Sequence, residues 1–212
     1  TNKPEEIPFD KLNPPYIIKP NHCSGYFIII RTKEDINKKD IIKKCKRWLK
    51  INYYYYGKSW QYKDIPRKIV IERLILDEKG NLPNDYKFDC FNGKPEFVEV
   101  HTNKFKKYKN SYFDMKWNLL PFIWCNPKKN NNQEYKIDKD IPKPKNLNDM
   151  IKIVKILSKD FDFVRVDLYS VKGKIYFGEL TFHPASGFEP FFPSKWDIYW
   201  GKKLKLKGFK KK

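Results

Sequence analysis

Two neighbouring stretches constrain this chain more than any other part of it: Phe163-Val164-Arg165-Val166-Asp167-Leu168-Tyr169 and Ile175-Tyr176-Phe177-Gly178-Glu179-Leu180-Thr181-Phe182. Both are short, rich in Val, Ile, Phe and Tyr, and joined by a Val171-Lys172-Gly173-Lys174 turn, so they read as the buried strands of a hairpin. Each carries a carboxylate that a purely structural core strand would avoid, because burying an unpaired charge is costly. Antiparallel pairing brings Asp167 near Glu179, and the two-residue period of a strand puts Arg165 on the face of Asp167. Two acids beside an arginine suggest a divalent cation with an anionic ligand, most simply Mg²⁺ with a nucleotide phosphate. The same residues equally describe an inter-strand salt bridge at a sheet edge.

A length of 212 residues allows one large domain or two lobes. Aromatic residues make up 17% of the chain, too many for disorder. The net charge of +20 invites a nucleic-acid reading. Five of the 45 basic residues are Arg and the other 40 are Lys, spread along the whole chain rather than clustered on one segment. That distribution points to an AT-rich coding bias, and no specific nucleic-acid partner is expected. A basic surface would still attract anionic substrates or allow peripheral association with an anionic membrane.

The four cysteines, Cys23, Cys45, Cys90 and Cys125, have no metal-ligand spacing and read as free thiols of a reducing, cytoplasmic compartment. No apolar run is long enough to span a bilayer, and no signal peptide is evident. The opening segment is polar and Pro-rich without an initiator Met, which reads as a fragment or a processed product.

Along the chain, Tyr16 to Pro20 and Tyr26 to Ile30 read as strands flanking the turn Asn21-His22-Cys23-Ser24-Gly25. Such a turn could lay backbone N–H groups over phosphates with Lys19 as a point charge, although a plain hairpin is the simpler description. A helix is predicted from Lys38 to Tyr53, with Ile41, Ile42, Cys45, Trp48 and Leu49 on one face. The aromatic run Tyr53 to Tyr56, with Trp60 and Tyr62, reads as a packing patch, or as rings able to stack on bases. Lys68 to Ile75 is a strand. Asp85 to Phe91 and Pro95 to His101 form a hairpin about Asn92-Gly93-Lys94, the strongest turn signal present. Residues 102 to 145 read as loop with local order near Tyr112 to Trp117, Asn146 to Ser158 as a second helix, and Lys202 to Lys212 as a frayed tail. Two groups of antiparallel strands, each with one helix, make an α+β pattern.

In that order, five motifs resemble the TupA-like ATP-grasp family of teichuronopeptide and capsular polysaccharide biosynthesis. They are Lys19-Pro20-Asn21-His22-x-Ser24-Gly25, Ile71-Glu72-Arg73-Leu74, Asp85-Tyr86-Lys87-Phe88-x-Cys90-Phe91-Asn92-Gly93, Phe163-Val164-Arg165-Val166-Asp167 and Phe177-Gly178-Glu179-Leu180-Thr181-Phe182. The resemblance spans nearly the whole chain. It implies an ATP-grasp fold, with two α+β lobes gripping ATP between antiparallel sheets: residues 1–75 as first lobe, 76–201 as second lobe with the Mg²⁺ hairpin, and 202–212 as tail. It also leads one to expect a further region ahead of the first lobe, and the sequence from Thr1 reads as starting without it.

Carried over by resemblance, Lys19 looks like the lysine on the nucleotide phosphates, with His22, Ser24 and Gly25 in the loop that covers them. Glu72, Arg73 and Leu74 fall at the adenine-contacting hinge, and Asp85 falls at the ribose. Lys87 is a second phosphate or substrate contact, and Arg165 steadies the transferring group. Asp167, Glu179 and Thr181 are the implied Mg²⁺ ligands, and Lys104 is an implied substrate contact. Three positions depart from the family pattern. Thr181 replaces a metal-binding Asn, and Cys23 replaces a loop Gly. Asn103 and Lys104 stand where Asp and Arg are expected. The implied activity is ATP- and Mg²⁺-dependent ligation of a small-molecule or glycan carboxylate acceptor to an amine donor through an acyl phosphate. An ATP-grasp kinase or a degenerate nucleotide-binding module is the alternative, and a polyanion binder the third reading.

Overall fold

The computed structural model describes residues 1–102, 109–124 and 137–207, and the chain divides into two units, Thr1–Ile75 and Leu76–Lys212. In the first unit, β1 (Tyr16–Pro20) and β2 (Ile28–Ile30) are joined by the Asn21–Gly25 turn. Tyr26 falls outside the second strand because Gly25, at φ +81°, turns the chain and Tyr26 leans edge-on against Trp48. Helix α1 (Lys38–Leu49) starts where the Asn37 side chain accepts the Asp40 N–H at 3.1 Å. It ends four residues before the predicted boundary, where Arg67 donates to the Leu49 carbonyl at 3.2 Å, and a single turn, α2 (Tyr54–Gly57), follows. With β3 (Ile69–Arg73) the sheet order is β2-β1-β3, all antiparallel.

Alternation decides the inner face of this sheet. Tyr16, Ile18, Ile30 and Ile69 are buried against Ile41, Cys45 and Trp48 of α1, with Ile7 and Phe9 of the leader closing the cluster. Burying such side chains stabilises by about 1.5–3 kcal/mol each, which is why a helix with lysines on its other faces holds its place.

The second unit is built on β4 (Asp85–Phe91), β5 (Lys94–Thr102), β6 (Lys109–Asp114), β7 (Ile123–Trp124), α3 (Leu147–Ser158), β8 (Phe163–Val171), β9 (Lys174–Thr181), β10 (Phe191–Phe192) and α4 (Lys195–Lys203). Five of these strands form an antiparallel sheet ordered β6-β5-β4-β8-β9, while β7 and β10 pair separately. One face of the large sheet is apolar: Tyr86, Phe88, Cys90, Val98, Val100, Val164, Val166 and Leu168 are buried under Leu147, Met150 and Val154 of α3.

Three sequence expectations are corrected here. Strand β6 lies inside the stretch read as loop; its Lys- and Asn-rich surroundings mask a short strand whose Tyr112 and Phe113 are buried. Helix α4 was not anticipated, because nine residues with few apolar positions carry a weak periodic signal; Trp200 nonetheless packs against Phe91 and Phe97. The tail is not frayed through Lys207. Asn92 exchanges hydrogen bonds with the Lys205 backbone (2.6 and 3.0 Å), and the Lys207 N–H donates to Asp162.

The registers contain the feature that matters most for chemistry. The Asn92-Gly93 turn, with φ of +51° and +78°, sets Phe91 opposite Lys94 and Cys90 opposite Pro95. Continued in step, that register would face Lys87 with Val98. A bulge at Asp89/Cys90 leaves Glu96 out of the ladder, and Lys87 faces Glu99 instead. The β8–β9 hairpin behaves alike. A bulge at Asp167/Leu168 leaves Gly178 out, so Asp167 faces Glu179 rather than Gly178. A Cβ on Gly178 would lie 3.0 Å from the Asp167 carbonyl oxygen and 3.3 Å from the Tyr169 ring, so the bulge needs glycine. Gly178→Ala is expected to lower stability by about 1–3 kcal/mol through overpacking, read as a drop in thermal midpoint. An unchanged midpoint would show that the bulge tolerates a side chain.

Candidate active site

Because the bulges shift register, the second face of the large sheet is polar in ordered rows. One row runs Tyr112, Glu99, Lys87, Asp167, Glu179 across β6, β5, β4, β8 and β9. The next runs Phe97, Asp89, Arg165, Thr181, and on the other side lies His101, Asp85, Tyr169. Neighbours across a sheet are about 4.5–5.5 Å apart at Cβ, so every charge here has a charged or polar neighbour by construction.

Arg165 is the junction. Its Nε donates to Asp167 Oδ1 at 2.8 Å and its Nη2 to Asp167 Oδ2 at 3.0 Å, a bidentate pair. The same Nη2 reaches Thr181 Oγ1 at 3.1 Å and lies 3.5 Å from Glu179 Oε1. Lys87 Nζ also binds Asp167 Oδ2, so two cations share one buried carboxylate. Burial disfavours the guanidinium, but Asp167, then Asp89 and Glu99, more than offset it and raise the Arg165 pKa.

Glu99 anchors the other end of the row. Its Oε1 accepts from Asn110 (3.1 Å), Tyr112 (3.3 Å) and His101 Nε2 (2.5 Å). Burial alone would push its carboxyl up, yet His101, Arg165 and Lys87 hold it below the usual range. Asp85 is buried beside Tyr169, whose phenol is pushed up first by burial and then by the Asp85 carboxylate.

Asp89 is different in kind. It is 0% exposed and neither carboxyl oxygen has a hydrogen-bond partner among the described residues. Burial, against the opposing field of Arg165, pushes its carboxyl well above the ordinary range.

Magnesium takes oxygen ligands and commonly only one or two protein carboxylates, with waters and substrate phosphates completing the shell. Asp167, Glu179 and Thr181 offer oxygen alone, and the Glu179 side chain is 61% exposed while Thr181 Oγ1 donates to its Oε1 at 3.4 Å. Both Asp167 oxygens are held by Arg165 and Lys87, so an ion shared with phosphate oxygens would meet the exposed Glu179 carboxylate first. Among the described residues, no group of three or more His, Cys, Asp or Glu makes a closed cage.

The first unit carries the other expected nucleotide contacts. Lys19 Nζ lies 2.7 Å from Glu72 Oε2, both partly exposed, on the sheet face turned away from α1. Glu72 and Arg73 line a cavity of about 410 Å³ with Ile71, Asn13, Pro15 and Tyr16. Leu74 is buried, and its N–H donates to the Pro15 carbonyl. Ser24 and Gly25 are exposed on the turn. His22 requires a correction. Its side chain is 1% exposed, with Nε2 3.0 Å from the Trp48 carbonyl and Nδ1 3.3 Å from Asn21 Oδ1, so it ties the turn to the end of α1 rather than meeting a phosphate. Lys104 and Asn103 lie outside the described residues.

Glu99, Asp89 and Tyr112 were not singled out in the sequence. Alternation of Asp85, Lys87 and Asp89 in one apolar strand, and of Glu99 and His101 in its partner, was the available signal.

The sequence model of a family described as TupA-like ATPgrasp matches residues 1–205. No curated protein and no solved structure matches the chain.

An orphaned acid has a measurable consequence. An unfolded Asp ionises near pH 4, whereas folded Asp89 keeps its proton to higher pH, so the wild-type protein loses stability as pH rises through that window. Asp89→Asn removes this loss. Its stability relative to wild type should grow above about pH 4 by up to ~1.4 kcal/mol per pH unit, measured by denaturant midpoints from pH 4 to 8. Parallel pH profiles for the two proteins would contradict a proton held on Asp89.

Proposed function

Since the chain belongs to the TupA-like ATP-grasp family, whose function is in general ATP-dependent and ligase-like with ATP and Mg²⁺, we propose that it is a carboxylate–amine ligase working through an acyl phosphate. Its fold is ATP-grasp, mixed α+β with antiparallel sheets. The observation that carries the reading is the Lys87–Asp167–Arg165 junction, with Glu179 and Thr181 beside it.

In this reaction a carboxylate oxygen attacks the γ-phosphorus of ATP and ADP leaves. The amine then attacks the acyl carbon, phosphate departs, and the amine's proton is released as the amide forms. Charge moves mainly onto phosphoryl oxygens, so catalysis needs fixed positive charge and positioning rather than a nucleophilic side chain. Lys87 and Arg165 supply that charge, and Asp167 orients both. Glu179, Thr181 and Asp167 would hold Mg²⁺, which when bound neutralises phosphate charge. Lys19, Glu72, Arg73, Leu74 and Asp85 are assigned to nucleotide binding, Lys19 on phosphate. Among the described residues the thiols are held protonated: burial pushes Cys23 and Cys45 up to about 11 and Cys90 up to about 12, and Cys90 lies on the apolar face. The acceptor proposed is a uronic acid or peptide carboxyl of a surface polysaccharide, and the setting cytoplasmic.

The test is Mg²⁺-dependent ADP release, screened over uronic and peptidyl carboxylates with amine donors, with hydroxylamine present to trap an acyl phosphate as hydroxamate. Wild type should form hydroxamate in step with ADP, and Arg165→Met and Glu179→Gln should each slow it roughly 10²–10³-fold. Phosphorylation of a hydroxyl without hydroxamate would replace ligation by kinase chemistry. Separately, Lys19→Ala should weaken MgATP binding about tenfold by calorimetry, the loss of one charge-assisted phosphate contact; unaltered affinity would remove Lys19 from the site.

A further inference from the structure

Lysine is spread through the chain, but its density peaks at the end of α4: residues 202–212 hold seven Lys and no acid, with Leu204, Leu206 and Phe209 set between them. The run begins on a helix with two distinct faces. Trp196 and Trp200 turn inward, their rings 5.1 and 6.0 Å from that of Phe122, and Lys203 beside them is held by Glu96 at 2.5 Å. Lys195, Ile198, Tyr199 and Lys202 stand at i, i+3, i+4 and i+7, the spacing that puts four side chains on one side of a helix. All four are exposed, Ile198 to 62% and Tyr199 to 46%.

The charge of this face is unopposed. Asp197, the one acid of α4, lies round the helix from it and accepts the Phe191 N–H at 3.2 Å. Among the described residues, Lys195, Lys202, Lys205 and Lys207 make no ion pair. Past the helix the chain stays on the second unit, because Asn92 holds the Lys205 backbone and Asp162 accepts the Lys207 N–H. Lys205 is three residues from Lys202, so about 11 Å away at most. That is close to one Debye length at physiological salt, and its charge acts at the same surface. Leu206 beside it is 49% exposed.

The mixture of side chains selects the partner. A nucleic-acid backbone engages lysines but gives nothing to the aliphatic Ile198 and Leu206, and base readout favours Arg and stacked rings, whereas residues 195–212 contain no Arg. An anionic bilayer uses every member of the set. Ammonium groups meet lipid phosphates, aliphatic side chains enter the acyl boundary, and a tyrosine sits at headgroup depth. Four lysines within one short segment are enough for such electrostatic attachment. We infer that the outer face of α4, with the basic run that starts on it, docks on an anionic lipid membrane. No α4 residue belongs to the proposed ligase site, so this inference stands or falls apart from that reading.

The experiment is cosedimentation of the full chain with vesicles of phosphatidylcholine, with or without about one-third phosphatidylglycerol, at low and at physiological salt. Wild type should bind the anionic vesicles only. Lys195→Gln/Lys202→Gln/Lys205→Gln should lower binding roughly 10²-fold at low salt, about fivefold per lysine, and flatten its salt dependence. Ile198→Ser/Tyr199→Ser should lower it roughly tenfold at unchanged circular dichroism. Because the Tyr199 ring touches Trp196, Ile198→Glu alone serves as a second variant and should lose binding to a similar extent. Four outcomes overturn the proposal: no binding to anionic vesicles, undiminished binding by the lysine variant, undiminished binding by both apolar variants, or an equal loss by Ile198→Ser/Tyr199→Ser on heparin, which would make the surface a general polyanion site.

Discussion

Asp167 holds Arg165 and Lys87 together on a sheet face that would otherwise carry two like charges side by side. Arg165 grips it through two parallel hydrogen bonds and Lys87 shares one of the same oxygens. A carboxylate this buried is tolerable only with such partners, since an isolated charge there would cost several kcal/mol. The cations depend on it equally. Thr181 and Glu179 are drawn to the same guanidinium, so the geometry of the polar face propagates from one ion pair.

The opposite face explains why that arrangement is rigid. Val164, Val166 and Leu168 alternate with Arg165 and Asp167 and are buried against α3 with Phe88, Val98 and Val100. One strand thus satisfies two environments at once, and a slip of one residue would place Asp167 in the apolar layer and a valine among the charges. Hydrophobic burial on one side fixes register, and register sets the ionic contacts on the other. The two bulges work within this constraint: each omits one residue, Glu96 or Gly178, from the ladder. Glu96 is then used elsewhere, 2.5 Å from Lys203 of α4. That contact, with the Phe91, Phe97 and Trp200 cluster, anchors the C-terminal helix on the sheet.

Much of this is legible in the amino-acid sequence. Asn92-Gly93 forms the turn its chemistry demands, because both positions need positive φ, and the apolar stripes of α1 and α3 face the cores as their spacing implies. Asp167 and Glu179 were expected as cross-strand neighbours, and they are. Other features left little trace. His22 sits in a motif that resembles a phosphate loop, yet the nearby end of α1 claims its ring. Helix α4 and strand β6 are short, so their periodicity is weak, and packing against aromatic residues far along the chain holds them instead.

The sequence by itself determined the two-faced strands, the hairpin turns, the amphipathic helices and the family to which the chain belongs, because each is written in local spacing or in ordered motifs. Tertiary structure alone decided which charges meet. Glu99 reaches Lys87 through a bulge, Asp89 is sealed without a partner, and Lys19 lies against Glu72. Those outcomes depend on register and on burial by distant segments, and a one-residue shift, invisible in composition or period, reverses the face of every side chain in a strand.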